Sequence, residues 1–262
     1  MSDGLIEPGD ERIDWRGQAI DCNGCVHAAL ADIGHCQPGH ACVEDRYARR
    51  IDRFFDWNPK LADSHVRHPH FEVRAIAAKH ADVFLLPALL DDEEEAVRWN
   101  AVRRLPARYK LKLRGDPHRE VRIRVAGELD DGDLVPMLDD SDYYVRLVVA
   151  RRIAPRLLSP LISDPEPEVR RVVASRLPLT MLAPMAYDPD AAVRLHAAER
   201  MSAPAIAYMR DDEDWRIRHA VASRVGDRAV LRQLADDPDP VVRETAASRL
   251  NAGATVRAET AS

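Results

Sequence analysis

Beyond Cys42 the chain contains no cysteine: the protein's four, Cys22, Cys25, Cys36 and Cys42, all lie within 21 residues, and the following 220 residues have none. Aromatic residues make up only 5% of the chain, and lysine is nearly missing, with 4 against 34 arginines. No run approaches the ~20 apolar residues that span a bilayer, so no helical membrane anchor and no membrane contact are expected. The first ten residues, Met-Ser-Asp-Gly-Leu-Ile-Glu-Pro-Gly-Asp, lack the basic end and apolar stretch of a signal peptide, which sets the expectation at a cytoplasmic protein. Glycine-rich phosphate loops, nucleophile elbows and zincin motifs are absent too, and nothing in the sequence argues for an enzyme. What is present is 46% hydrophobic and 31% charged residues over 262 positions, enough apolar material for a continuous core, with a net charge of -6.

Four thiols crowded into one segment need an explanation. Two disulfides would close only short loops, and a cytosolic chain is kept reduced. Soft ligands at this density suit a tetrahedral zinc ion or an iron–sulfur cluster, because a cation neutralises thiolates that would otherwise repel one another. The spacing C-x2-C-x10-C-x5-C matches neither a zinc ribbon nor the compact ferredoxin run, so it leaves both metals open. Val26 to Ile33 reads as two helical turns stopped by Gly34, and Pro38-Gly39 supplies a turn ahead of Cys42. His27, His35 and His40 lie among the cysteines and are read as neighbours of the site rather than ligands.

The rest of the chain repeats. Val-Arg recurs at Val73-Arg74, Val97-Arg98, Val121-Arg122, Val145-Arg146, Val169-Arg170 and Val193-Arg194, then as Ile217-Arg218 and Val242-Arg243, at steps of 24 residues and finally 25. Counting that valine as zero, position +5 is alanine or valine from Ala78 through Ala247, and +8 is usually apolar. Asp-Pro stands at -5 and -4 in Asp116-Pro117, Asp164-Pro165, Asp188-Pro189 and Asp237-Pro238. Aspartate capping a helix whose first residue is proline predicts an α-helix of about 13 residues in each unit. Apolar residues at -11 and -8, with Pro136, Pro160 and Pro184 between them, predict a short 3₁₀ segment. Neither element can bury an apolar face alone, so stacked units form the core: an all-α solenoid, of either hand as far as spacing goes.

The pattern D-P-x3-V-R-x3-A-x-R-L at a 24-residue step, behind a four-cysteine segment, resembles the leucine-rich repeat variant family over essentially the whole chain. The resemblance implies a right-handed solenoid of alternating α and 3₁₀ helices and an N-terminal [4Fe-4S] cluster, with Cys22, Cys25, Cys36 and Cys42 as its four ligands and zinc as the alternative. It divides the chain into a cluster domain over 1-60 and a repeat solenoid over 61-262 of about eight units. The first unit, with His68-Pro69 for Asp-Pro, and the last, trailing into Asn251-Ala252-Gly253, depart from the pattern as capping units would.

The implied function is a cluster-binding scaffold for an unidentified protein partner, responsive to redox state, with electron transfer as one alternative. Nucleic-acid binding by the repeated arginine is the other. Helical geometry and charge weigh against it. At about 100° per residue, positions 0, +4, +5 and +8 centre near about 65°, and +1 falls inside that apolar arc. An arginine there is expected to pair with the aspartate row. Residues 61-262 carry 31 basic and 33 acidic side chains, which gives no positive field to concentrate phosphate. His65, His68, His70 and His80 could bind a divalent metal but are read as solvated side chains at the domain join, and the acidic run Asp91 to Glu95 as favouring a helix N-terminus.

Overall fold

The structure is a computed structural model that describes residues 12–259. The first ten residues, on which the signal-peptide reading rests, lie outside it. Helices of two kinds alternate, and among the described residues the only β-type pairings are isolated bridges: Ile13 with Ala19, Asp14 with Asp45, and Gln37 with Ala41. By its internal contacts the chain forms two compact units, Met1–Leu129 and Asp130–Ser262.

In the first unit the repeat helices are Phe71–His80, Glu95–Val102 and Arg119–Ala126; in the second they are Tyr143–Arg152, Pro167–Arg176, Ala191–Arg200, Trp215–Arg224 and Pro240–Glu259. Within each unit successive helices pack on one another. The valine at zero is fully or almost fully buried in every repeat, as is its partner at +4 or +5. Between helices run the expected 3₁₀ segments, Leu86–Asp91, Ser159–Leu161 and Ala183–Tyr187 among them. In the last unit, one residue longer than the others, the same stretch winds instead into a seven-residue α-helix, Arg228–Leu234, whose N-terminus Asp227 caps by accepting the Ala229 amide.

The helices are shorter than the sequence predicts, and the reason is local. The aspartate at -5 does not cap the α-helix. Its Oδ1 accepts the amide two residues on, as in Glu166 to Asp164 and Asp190 to Asp188 at 2.9 and 2.8 Å, which folds an Asx turn ahead of the helix. The helix begins at -2, and its cap is the residue at -3: Asp142 accepts the amides of Tyr144 and Val145, and Asp190 those of Ala192 and Val193. Four of the five repeat helices named in the second unit are ten residues long, about 15 Å. The apolar residue at +8 lies beyond the helix in extended backbone, as at Ile153 and Leu177, yet is fully buried. The last unit also differs: its helix does not end at Asn251 but continues through Gly253 to Glu259.

The arginine at +1 is a structural ladder. Arg98 places Nε and Nη2 on the two oxygens of Asp116, both at 2.7 Å, while Nη1 reaches the carbonyls of Asp92 and Glu93. Arg74 with Asp92, Arg146 with Asp164, Arg170 with Asp188, Arg194 with Asp212 and Arg218 with Asp237 repeat the arrangement. Each guanidinium therefore joins its own unit's Asx turn to that of the next, with donors and acceptors matched in a buried setting.

A second arginine row went unread in the sequence although the repeat pattern contains it. At +7, Arg104, Arg176, Arg200, Arg224 and Arg249 donate Nη1 to the +5 carbonyl of the preceding repeat, at 3.1 Å to Ala78, 2.6 Å to Ala174 and 2.8 Å to Ala222 where the lengths are ordinary. Several also reach the carbonyl at +8, as Arg249 does with Val225 at 2.6 Å. These are the carbonyls a helix C-terminus leaves without an intrahelical partner.

Candidate metal centre

The cysteine segment is built from tight turns around little secondary structure. Asp21 Oδ1 accepts the Asn23 amide at 2.9 Å and opens the Cys22–Cys25 turn. Helix Ala28–Asp32 follows and ends as the sequence predicts: Gly34 takes φ +76, its amide bonds Ala31, and His35 reaches back to Leu30, which is a Schellman closure. Gln37-Pro38-Gly39-His40 then forms a type II turn, with Gly39 at φ +79 and the His40 amide on the Gln37 carbonyl at 3.0 Å. Helix Ala48–Trp57 lies behind, burying Ile51, Phe54 and Phe55. Its side chains fasten the loops: Asn58 donates to the His35 carbonyl at 2.7 Å, and Arg53 to that of His40 at 2.8 Å. Asp45, fully buried, takes Arg50 at 3.1 Å.

All four cysteines are free thiols, graded from exposed Cys22 through half-buried Cys25 and Cys36 to buried Cys42. Cys36 and Cys42 are in contact. The Cys36 sulfur accepts from the Cys42 thiol, which holds Cys36 below the usual thiol range and raises Cys42, with burial adding to the latter. Burial also raises Cys25, opposed by the His27 amide donating to its sulfur at 3.4 Å. Cys25 feels the charges of Cys22 and Cys42, and Cys36 those of Cys22 and Cys25, so the set forms one electrostatic neighbourhood. Among the described residues no three histidine, cysteine or carboxylate side chains converge closely enough to hold a single metal ion.

The histidines are not solvated as the sequence reading had it. His65 is 9% exposed, packed against Phe54 and Phe55, with Nδ1 on the Leu61 carbonyl at 2.8 Å and Nε2 3.2 Å from His27 Nε2. The Leu61 contact makes Nδ1 the protonated nitrogen, so Nε2 accepts from His27. Burial lowers both histidines and keeps them neutral. His68 faces Glu44 at 3.8 Å and, with the Trp15 indole at 3.1 Å on the other oxygen, helps hold that carboxyl below its ordinary range. His70 stacks on Trp15 and His80 lies against Phe55. Aromatic packing accounts for these side chains, and spacing along the sequence gave no sign of the His27 to His65 bond.

Stacked α and 3₁₀ elements joined by a paired-arginine ladder, behind a compact segment with four free thiols, define an all-α repeat protein with an N-terminal cysteine-rich module. Residues 12–64, which include all four cysteines, match the family model described as LRV protein FeS4 cluster. A solved structure described as a leucine-rich repeat variant with a novel repetitive protein structural motif superposes with a TM-score of 0.80 and is 39% identical, covering 88% of this chain and 98% of that one. The chain belongs to the leucine-rich repeat variant family. An uncharacterized 27.7 kDa protein in the nifB 3′ region of Rhodobacter capsulatus is 54% identical over 101 residues, 38% of this chain; the match spans about two fifths of that relative.

Proposed function

We propose that Cys22, Cys25, Cys36 and Cys42 hold one [4Fe-4S] cluster and that the repeats present an extended surface to a protein partner. The observation carrying the first half is the donor set: four free thiols in one neighbourhood, inside the segment matching an iron–sulfur family model. Such a group, when bound, supplies one-electron redox chemistry. The chain's own part is to fix the thiols on glycine turns and to direct amides at sulfur, which favours thiolate over thiol. Iron and acid-labile sulfide should each approach about four per chain in anaerobically purified protein, with a brown chromophore. Stoichiometric zinc without sulfide would refute the assignment.

The paired arginine ladder supports a protein partner over a nucleic acid. Five of the +1 guanidiniums are buried, with their forks on aspartate and their remaining nitrogen on backbone carbonyls. Little of that positive charge is left for phosphate. Among the described residues no helix is long and apolar enough to cross a membrane.

A further inference from the structure

Helix Ala28–Asp32 buries none of its residues, although it reads Ala-Ala-Leu-Ala-Asp. Just before it Val26 is 89% exposed, and just after it Ile33 is 66% exposed. Single exposed apolar side chains need no explanation. Here the two bracket a short, largely exposed helix that begins three residues after Cys25. Val26 also lines a cleft of about 320 Å³ whose other walls include Ile20 and Cys25 together with Asp14, Asp21 and Glu44. No lysine or arginine lines it. Asp14 accepts the amides of Arg16 and Gln18, and Glu44 faces the Trp15 indole and His68. Arg16 lies over the Trp15 ring at 4.4 Å rather than on a carboxylate. Asp32, exposed, adds a further negative charge at the far end of the helix. An apolar centre with an acidic rim is complementary to an apolar centre with a basic rim.

We propose that this face, Val26 and Ile33 with the carboxylate-lined cleft at Cys25, is the docking surface for a basic redox protein that exchanges single electrons with this one. The proposal rests on the cluster reading above. Geometry favours this side for exchange, because half-buried Cys25 lines the cleft and its neighbour in the turn, Cys22, is exposed, while Cys42 is buried. A lysine or arginine of the partner enters the cleft, and the partner's apolar centre covers Val26 and Ile33.

A basic c-type cytochrome serves as the probe. Binding is measured first with both proteins oxidised, by sedimentation or NMR over a salt series, so that it does not depend on electron flow. The rate at which the dithionite-reduced protein converts ferric to ferrous haem is then followed, one electron passing per haem with no bond made or broken. Association should weaken steeply with salt, and Ile33→Lys and Asp32→Asn should each slow haem reduction by about tenfold while reduction of ferricyanide is not slowed. Asp32 is exposed at the end of its helix, and iron and sulfide content verify that each variant is loaded. Glu168→Lys, exposed on a repeat of the second unit, should leave both measurements alone. Salt-independent binding, or an equal effect of Glu168→Lys, would overturn the proposal, as would a self-associated dimer that Ile33→Lys dissolves. A chain without iron that still binds the cytochrome here would overturn the redox role and the cluster reading together; a loaded chain that fails to bind would overturn the surface alone.

Discussion

Arg170 shows what one side chain does in this protein. Its guanidinium spans Asp188 of the next repeat at 2.7 and 2.9 Å and the Asp164 carbonyl of its own at 2.7 Å, and both charged groups are 8% exposed. Removing it by Arg170→Ala strands Asp188 and two carbonyls, which should cost about 2–3 kcal/mol in thermal or urea unfolding and leave polyanion binding unchanged. Arg216, whose ion pair with Asp214 is exposed, should move the melt scarcely at all when replaced by alanine. The same ladder sets the response to acid. Arg218 holds Asp237 below its ordinary range; at Asp92 burial is the largest influence and works upward, but the Arg74 fork, the Glu94 amide and the charges of Arg74 and Arg98 together bring the carboxyl down. A carboxylate depressed in the folded state stabilises it above the unfolded value near about 4, and that contribution is lost as pH falls through the folded value. The ladder's contribution should therefore be flat from neutrality to about pH 4 and fall below it, whereas His27 and His65, lowered in the folded state, remove stability as pH falls below about 6.5, so a decline near pH 6 that persists when both histidines are replaced would contradict the ladder as the acid-sensitive element of the repeats.

At the scale of the element, the helices Tyr143–Arg152, Ala191–Arg200 and Trp215–Arg224 are held at both ends by side chains outside their own hydrogen-bond ladders. The N-terminus is capped locally, by Asp142 in helix Tyr143–Arg152, and Asp142→Ala should cost about 1 kcal/mol. The C-terminus is capped from the next repeat, as when Arg200 donates to the Ala174 carbonyl at 2.6 Å. This division explains why Asp-Pro misleads as a helix start. Aspartate at -5 has one oxygen on its own turn and both on a neighbour's arginine, as Asp164 does with Glu166 and Arg146, and it cannot also reach the first helical amides.

For the whole molecule, repeats that bond chiefly to their neighbours predict that damage stays local. Cys36→Ser should bleach the visible absorption and loosen the turns between Cys22 and Cys42 while leaving most far-ultraviolet ellipticity, since the helices of residues 130–262 form a compact unit of their own. Loss of the helical signal in step with the chromophore would show that the cysteine segment governs the stability of the repeats.

The repeat period, the alternation of α and 3₁₀ elements, the Schellman stop at Gly34, the turn at Pro38-Gly39 and the pairing of arginine with aspartate were all legible in the sequence. Each is set by residues within a few positions of one another or by an offset recurring every 24 or 25 residues, and such signals survive without knowledge of the fold. Tertiary structure alone decided which aspartate each arginine takes, 18 or 19 residues ahead, and that the +7 row caps the preceding helix from 26 or 27 residues away. It also decided that His27 meets His65 across 38 residues and that Val26 and Ile33 stay uncovered beside Cys25. These depend on where separate elements approach, and approach is settled by the burial of the repeat valines and of Phe54 and Phe55, which fixes distances that composition and spacing leave free.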